Sequence, residues 1–126
     1  MPTTEDLIGT WRVTAFQEWS ADGAAHHPLG DTPTGYAIFD RAGRVFIQLS
    51  RGVGRGAAAE AVARSFMAYF GTFAVSGDQL KVAIESGNNP EDVATTQTRT
   101  VTLQGDMLTI GIPGQFQATL RREAKA

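Results

Sequence analysis

Short runs of strand-forming residues, separated by glycine-containing turns, dominate the sequence. The segments 40–43, 76–78 and 104–106 each contain Gly and Asp and divide two runs rich in Val, Ile, Phe and Thr. Such turns typically connect antiparallel strands, so each predicts a hairpin. The predicted strands cover residues 9–19, 35–39, 44–50, 70–75, 79–85, 95–103, 107–112 and 115–122.

Eight strands of this length fit one closed barrel. An up-and-down barrel leaves no exposed sheet edge, and 126 residues suffice for one domain but not for two. The sequence therefore predicts an all-β fold, an eight-stranded antiparallel up-and-down barrel, as a single domain over residues 1–126. Because such a barrel brings its first and last strands together, we expect Trp11 to stack on Arg121 or Arg122 and plug one end.

One segment departs from the strand pattern. In residues 56–69, apolar side chains such as Val62 and Phe66 recur at helical spacing, with Glu60 and Arg64 four residues apart on the other side. This predicts one short amphipathic helix between strands 3 and 4, packed on the mouth or the wall of the barrel. The glycine-rich residues 51–56 before it lack the spacing of a phosphate-binding loop and are expected to form a hinge.

The strand at 95–103 has two very different faces. Its outer face would be threonine, whereas Gln97 and Arg99 share a face with Val101 and should therefore point into the lumen. A guanidinium in the apolar lumen needs a partner, because an unpaired buried charge costs several kcal/mol. Two partners remain open: the carboxylate of Glu85 or an acidic group of a ligand.

The first strand predicts further lining residues. Strict alternation places five of its side chains inside: Trp11, Val13, Ala15, Gln17 and Trp19. For the strands at 35–39, 44–50 and 79–85 the inward face stays open, since apolar groups occur on both faces. The predicted ligand-binding residues are Gln17, Trp19, Tyr36, Ile38, Phe66, Tyr69, Phe73, Gln97, Arg99, Val101 and Phe116.

The composition limits the kinds of molecule that this protein is expected to bind. With 11 basic and 13 acidic side chains and a net charge of -2, the chain has no electrostatic footprint for nucleic acid. It contains no cysteine, which suits a reducing compartment, and the first residues resemble neither a signal peptide nor a membrane span. We expect a cytoplasmic protein that does not bind membranes. Phe16 and Phe39, predicted to face outward, indicate a surface that a homodimer could cover.

The residues carry no motif for hydrolysis or metal binding. His26 and His27 are adjacent in a polar loop, so neither a nucleophile and base pair nor a metal or cofactor site is predicted. Two functions remain open. The first is binding of a small hydrophobic or amphipathic organic molecule in the lumen. The second is a cyclase or isomerase of a natural-product pathway that acts by positioning its substrate, with Tyr36, Glu85 and Arg99 as candidate catalytic residues.

Several segments are similar to a known family. Residues 28–36 carry the pattern Pro-x-Gly-x-x-Pro-x-Gly-Tyr, and residues 7–12, 69–75 and 105–109 carry weaker matches. Together they resemble the bacterial and fungal lipocalin-like domain family over nearly the whole chain. The resemblance implies a compact calycin-type barrel that binds small organic molecules, and it supplies no family-wide catalytic motif.

Overall fold

The computed structural model describes residues 1–52, 54–63 and 65–124, and their strands form one antiparallel sheet that closes on itself. Two short helices, α1 (Thr4–Leu7) and α2 (Ala59–Ala63), and a 3-10 helix at Pro90–Asp92 accompany the sheet. The strands in chain order are β1 (Gly9–Trp19), β2 (Ala25–His26), β3 (Thr34–Phe39), β4 (Arg44–Ser50), β5 (Phe66–Ser76), β6 (Gln79–Gly87), β7 (Thr96–Gln104), β8 (Met107–Ile112) and β9 (Phe116–Arg122).

Closure of the barrel depends on β1. Residues 9–12 of β1 pair with β3, and residues 11–18 pair with β9. The predicted eight-stranded up-and-down barrel is therefore confirmed. The two-residue strand β2, which was not predicted, pairs with the end of β1 as a ninth strand outside the barrel.

The predicted hairpin turns are present where the sequence indicates them. Gly77 and Gly105 each occupy the first position of a two-residue loop, with φ of 60° and 59°. This left-handed conformation favours glycine, and glycine at that position matches the twist of the flanking strands. The turns connect β5 to β6 and β7 to β8 in tight register.

The predicted short helix between the third and fourth barrel strands is present, but it is shorter than the predicted segment 56–69. Only Ala59–Ala63 is helical, and it buries none of its side chains. Phe66 to Tyr69 instead begin β5 and pair with β4, where Met67 and Tyr69 face the lumen. Ladder hydrogen bonds and burial in the barrel outweigh the helical spacing of so short a segment. Arg64, predicted to pair with Glu60, lies outside the described residues.

One end of the barrel is closed by α1. The helix begins with a capping box between Thr3 and Asp6, and the Trp11 indole donates a hydrogen bond to the carbonyl of Leu7 at 2.9 Å. The guanidinium of Arg122 lies 4.2 Å from the centre of the Trp11 ring. The expected plug is thus confirmed with Arg122 as the stacking partner, while Arg121 is exposed.

A β-bulge changes the inward face of β1. The register shifts between Val13 and Ala15, so Trp11 and Val13 face inward and are followed by Phe16 instead of Ala15. A bulge adds one residue to a strand and reverses the alternation beyond it. The predicted inward positions of Ala15, Gln17 and Trp19 are therefore wrong.

The strands whose faces the sequence left open are resolved by burial. The inward side chains are Ala37 and Phe39 on β3, Val45, Ile47 and Leu49 on β4, and Leu80, Val82 and Ile84 on β6. Phe16 and Phe39 are both buried in the barrel. The outer apolar face predicted from these two residues does not exist, because each contributes to the core.

Candidate functional site

The barrel is packed at one end and hollow at the other. The end near α1 is filled by large buried side chains, among them Trp11, Phe39, Leu80 and Leu108. Towards the opposite end lies a cavity of 460 Å³, within the range of small-molecule sites. The predicted lining residues Phe73 and Val101 belong to the packed core and do not line the cavity.

The cavity wall is mainly apolar. Its apolar lining is Phe16, Ala37, Ile47, Leu49, Phe66, Met67, Ile110, Phe116, Ala118 and Leu120. Phe116 stacks on Phe16 with 5.9 Å between ring centroids. Polar side chains from four parts of the chain interrupt this surface: Glu18, Tyr69, Asn88, Asn89, Asp92, Gln97 and Arg99.

Arg99 supplies the positive charge of the cavity. Its guanidinium lies 5.1 Å from the centre of the Phe116 ring and donates a hydrogen bond of 3.0 Å to the carbonyl of Thr98. Within the described part of the chain it forms no salt bridge with a carboxylate. Most of its five donors therefore remain available to a ligand.

Tyr69 lies beside Arg99 and supplies a neutral hydroxyl. Burial raises the pKa of Tyr69 from 10.0 to about 12, with Arg99 opposing the rise and Asp92 adding to it. The hydroxyl makes no hydrogen bond to another described residue. Near neutral pH it is a hydrogen-bond donor that faces the cavity and has no partner among the described residues.

The connection between β6 and β7 forms one side of the mouth. The Asn88 side chain accepts a hydrogen bond from the Ala68 amide and donates one to the Phe66 carbonyl, both at 2.9 Å. Asn89 caps the 3-10 helix by accepting from the Glu91 amide at 3.2 Å. These contacts anchor the connection to the start of β5 and bring Asp92 to the cavity.

Five of the predicted ligand-binding residues line the cavity, namely Phe66, Tyr69, Gln97, Arg99 and Phe116. Their role in binding stays a prediction. Six others do not line it: Gln17, Trp19, Tyr36, Ile38, Phe73 and Val101. Gln17 and Trp19 are turned away by the bulge in β1, and Trp19 lines a separate surface depression.

Tyr36 and Ile38 are on the outside of the barrel. They alternate with Ala37 and Phe39, whose burial fixes the inward face of β3. Their predicted position in the lumen is therefore wrong. The smaller Ala37 occupies the lumen in place of the larger neighbours, which hydrophobicity alone could not indicate.

The candidate catalytic residues do not come together. Arg99 is in the cavity, but Tyr36 and Glu85 are exposed on the outer surface. The register between β5 and β6 opposes Ile84 to Gly71 and Ser86 to Phe70, which leaves Glu85 as the extra residue of a bulge. Glu85 is one of the two partners that the sequence leaves open for Arg99. That alternative is wrong, because Glu85 directly follows the inward Ile84 on β6 and therefore faces outward.

Sequence reasoning missed most of the cavity lining. The missed apolar residues on the other strands are Ala37, Ile47, Leu49, Met67, Ile110, Ala118 and Leu120. Two further groups of missed residues have separate causes. Phe16 and Glu18 enter through the bulge in β1, whose one signal is that Val13 and Phe16 are apolar three positions apart. The other group, Asn88, Asn89 and Asp92, belongs to a connection without strand periodicity. Its nearest signal is Asn89-Pro90, a common start of a turn.

Among the described residues, no group of three or more His, Asp or Glu side chains is arranged to hold a metal ion. None of the helices that these residues form has the length and apolar character that crossing a membrane requires.

Comparison with known proteins agrees with the barrel fold. A family described as a lipocalin-like domain matches residues 8–125. A lipocalin-like protein from Bacteroides uniformis ATCC 8492 is 18% identical, aligns over 94% of this chain and 99% of its own, and superposes with a TM-score of 0.56. An uncharacterized protein from Bacteroides eggerthii DSM 20697 is 11% identical, over 94% and 100% of the two chains, with a TM-score of 0.55. Curated protein sequences gave no match.

Proposed function

The chain belongs to the lipocalin-like domain family, and we propose that it binds a small amphipathic organic molecule in the barrel cavity, with an anionic group of that molecule held by Arg99. The apolar part of the ligand contacts the wall around Phe16, Phe66 and Phe116. The acidic group lies between the Arg99 guanidinium and the Tyr69 hydroxyl.

The observation that carries the proposal is the charge of Arg99, for which the described part of the chain supplies no carboxylate partner. A half-buried guanidinium without a carboxylate partner among the described residues loses part of its hydration without a compensating charge, which costs free energy. A carboxylate, sulfonate or phosphate accepts two parallel hydrogen bonds from the guanidinium fork and offsets that cost. Stacking on Phe116 holds the fork in one orientation, which reduces the entropy lost on binding.

The apolar wall supports a ligand with a hydrophobic body. The 460 Å³ cavity is large enough for a molecule of one or two rings or a medium alkyl chain. Burial of such a body in a largely preformed apolar cavity supplies most of the affinity, while the polar groups set the orientation.

A carrier is favoured over the cyclase or isomerase alternative by the placement of the acid and base groups. Of the predicted catalytic residues, Arg99 alone faces the cavity, and Tyr36 and Glu85 lie outside it. Tyr69 is a neutral donor with a raised pKa. No specific observation favours a chemical step at this site.

Binding of an anionic fluorescent probe tests the proposal. We expect anilinonaphthalene sulfonate to bind folded protein with one site, and Arg99→Gln to weaken that binding by roughly 10-fold or more, since a hydrogen bond to a charged group contributes about 1.5–3 kcal/mol. Titration calorimetry and fluorescence should give the same stoichiometry. Native mass spectrometry of the purified protein would identify any molecule that is retained.

The matched control is Arg44→Gln, which removes an exposed positive charge outside the cavity. It lowers the net charge by the same amount and should leave the dissociation constant unchanged. Equal weakening by both variants would mean that the probe responds to overall charge, and the proposal would be wrong. No binding to the wild-type protein would contradict it as well.

A further inference from the structure

An apolar ridge crosses the outer wall of the barrel. Ile38, Phe46 and Phe70 lie directly opposite one another on β3, β4 and β5 and are 39%, 42% and 41% exposed. The rings of Phe46 and Phe70 stack with 6.0 Å between centroids and 22° between planes. Side chains held in this way lose little conformational freedom when a partner covers them.

A groove of 800 Å³ runs beside this ridge. The next outward row towards the mouth consists of Tyr36, Gln48 and Ala68 on the same three strands. Four residues with small side chains also line the groove: Thr34, Gly35, Ser50 and Gly87. The surface is therefore self-complementary, because a half-turn about an axis parallel to the ridge sets the ridge of one copy against the groove of another.

The uncharged lining of the groove favours a second copy of the chain as the occupant. None of the described residues that line the groove is acidic or basic. The charge that contacts the groove at Tyr36 is Arg12, which is already paired with Glu123. Two copies can therefore approach across the groove lining without burying an unpaired ion. A nucleic acid or an acidic membrane surface would instead require a cluster of basic side chains here.

The exposed area of the ridge is large enough for the central part of a protein–protein interface, but not for a whole interface. The three ridge side chains leave roughly 250 Å² accessible, taking about 200 Å² for each side chain. A stable interface uses about 800 Å² of each partner, so the groove and its polar edges must contribute the remainder. An apolar centre with a polar rim is the usual anatomy of such interfaces.

We propose that the chain forms a two-fold symmetric homodimer in which Ile38, Phe46 and Phe70 of each copy fill the groove beside the same ridge on the other copy. The interface lies on the outer wall of β3, β4 and β5. The proposal does not depend on the proposed ligand or on Arg99.

Size-exclusion chromatography with light scattering tests the dimer over a concentration series. The wild-type protein should show the mass of two chains at high concentration and approach the mass of one on dilution. Two variants should reduce the mass to one chain at every concentration. Phe70→Glu places a charge on the ridge, and Ala68→Arg fills the groove.

Thr98→Glu is the matched control, because Thr98 is exposed on the outer face of β7, away from the ridge. It adds the same charge as Phe70→Glu and should remain dimeric. Circular dichroism establishes that each variant is folded. A wild-type mass of one chain throughout, or dimers that persist in both ridge and groove variants, would overturn the proposal.

Discussion

Tyr69 shows how strongly the barrel changes the chemistry of a single residue. Its hydroxyl lies near Asp92 and Arg99, and burial is the main cause of its raised pKa. Because the folded state holds this proton up to about pH 12 and the unfolded state up to about pH 10, the stabilising effect is complete below pH 10. It is lost as the pH rises towards 12.

Absorbance titration of the phenolate checks this value. In Tyr36→Phe, Tyr69 is the single remaining tyrosine, and we expect a midpoint at about 12. In Tyr69→Phe, the free energy of unfolding should fall less steeply between pH 10 and 12 than in the wild type, since the linked proton is absent. A midpoint near 10 would contradict the buried environment of the hydroxyl.

Among the elements, α1 depends on a contact from the far end of the chain. The Arg122 guanidinium donates hydrogen bonds to the carbonyls of Ile8 and Asp6, at 3.1 and 2.7 Å, and stacks on the buried Trp11 ring. One side chain of β9 thus joins the helix to the strand that closes the barrel. Its loss leaves two carbonyls without a charged donor.

Arg122→Ala should lower the free energy of unfolding by about 2 kcal/mol, from the lost charge-assisted hydrogen bonds and the lost contact with Trp11. Urea denaturation followed by circular dichroism measures this. The control is Arg121→Ala, which removes an exposed neighbour and should change stability by less than about 0.5 kcal/mol. Equal effects of the two variants would mean that α1 does not depend on this contact.

Over the whole molecule, the packed end and the hollow end of the barrel have different roles. Leu108 is 0% exposed within the packed end, whereas Leu49 is 3% exposed but borders the cavity. The packed end supplies stability, and the cavity forgoes part of the possible packing to leave room for a ligand.

The same substitution at these two positions separates the roles. Leu108→Ala should cost about 3 kcal/mol, because it opens a new closed void. Leu49→Ala should cost about half as much, since the removed atoms only enlarge an open cavity. Chemical denaturation of both variants measures the difference. A larger cost for Leu49→Ala would show that the hollow end contributes more to stability than the packed end.

Much of the barrel could be predicted from local signals. The alternation of apolar residues and the turns at Gly77 and Gly105 identify eight strands and their hairpins. The pattern around Arg99 correctly indicates its inward position, and closure of the barrel explains the stacking of Trp11 on Arg122. These features depend on neighbours in sequence or on the simple requirement that the first and last strands meet.

The lining of the cavity could not be predicted in this way. A bulge in β1 reverses which of Phe16 and Gln17 faces inward. The inward position of Ile84 on β6 places the next residue, Glu85, outside the site. The position of a bulge depends on how each strand pairs with its neighbours across the sheet. A shift of one residue then reverses the face to which every later side chain points. The sequence by itself determined the eight barrel strands apart from the start of β5, together with the turns and the plug. Only the tertiary structure decided which side chains share the cavity, because the register is settled by long-range packing.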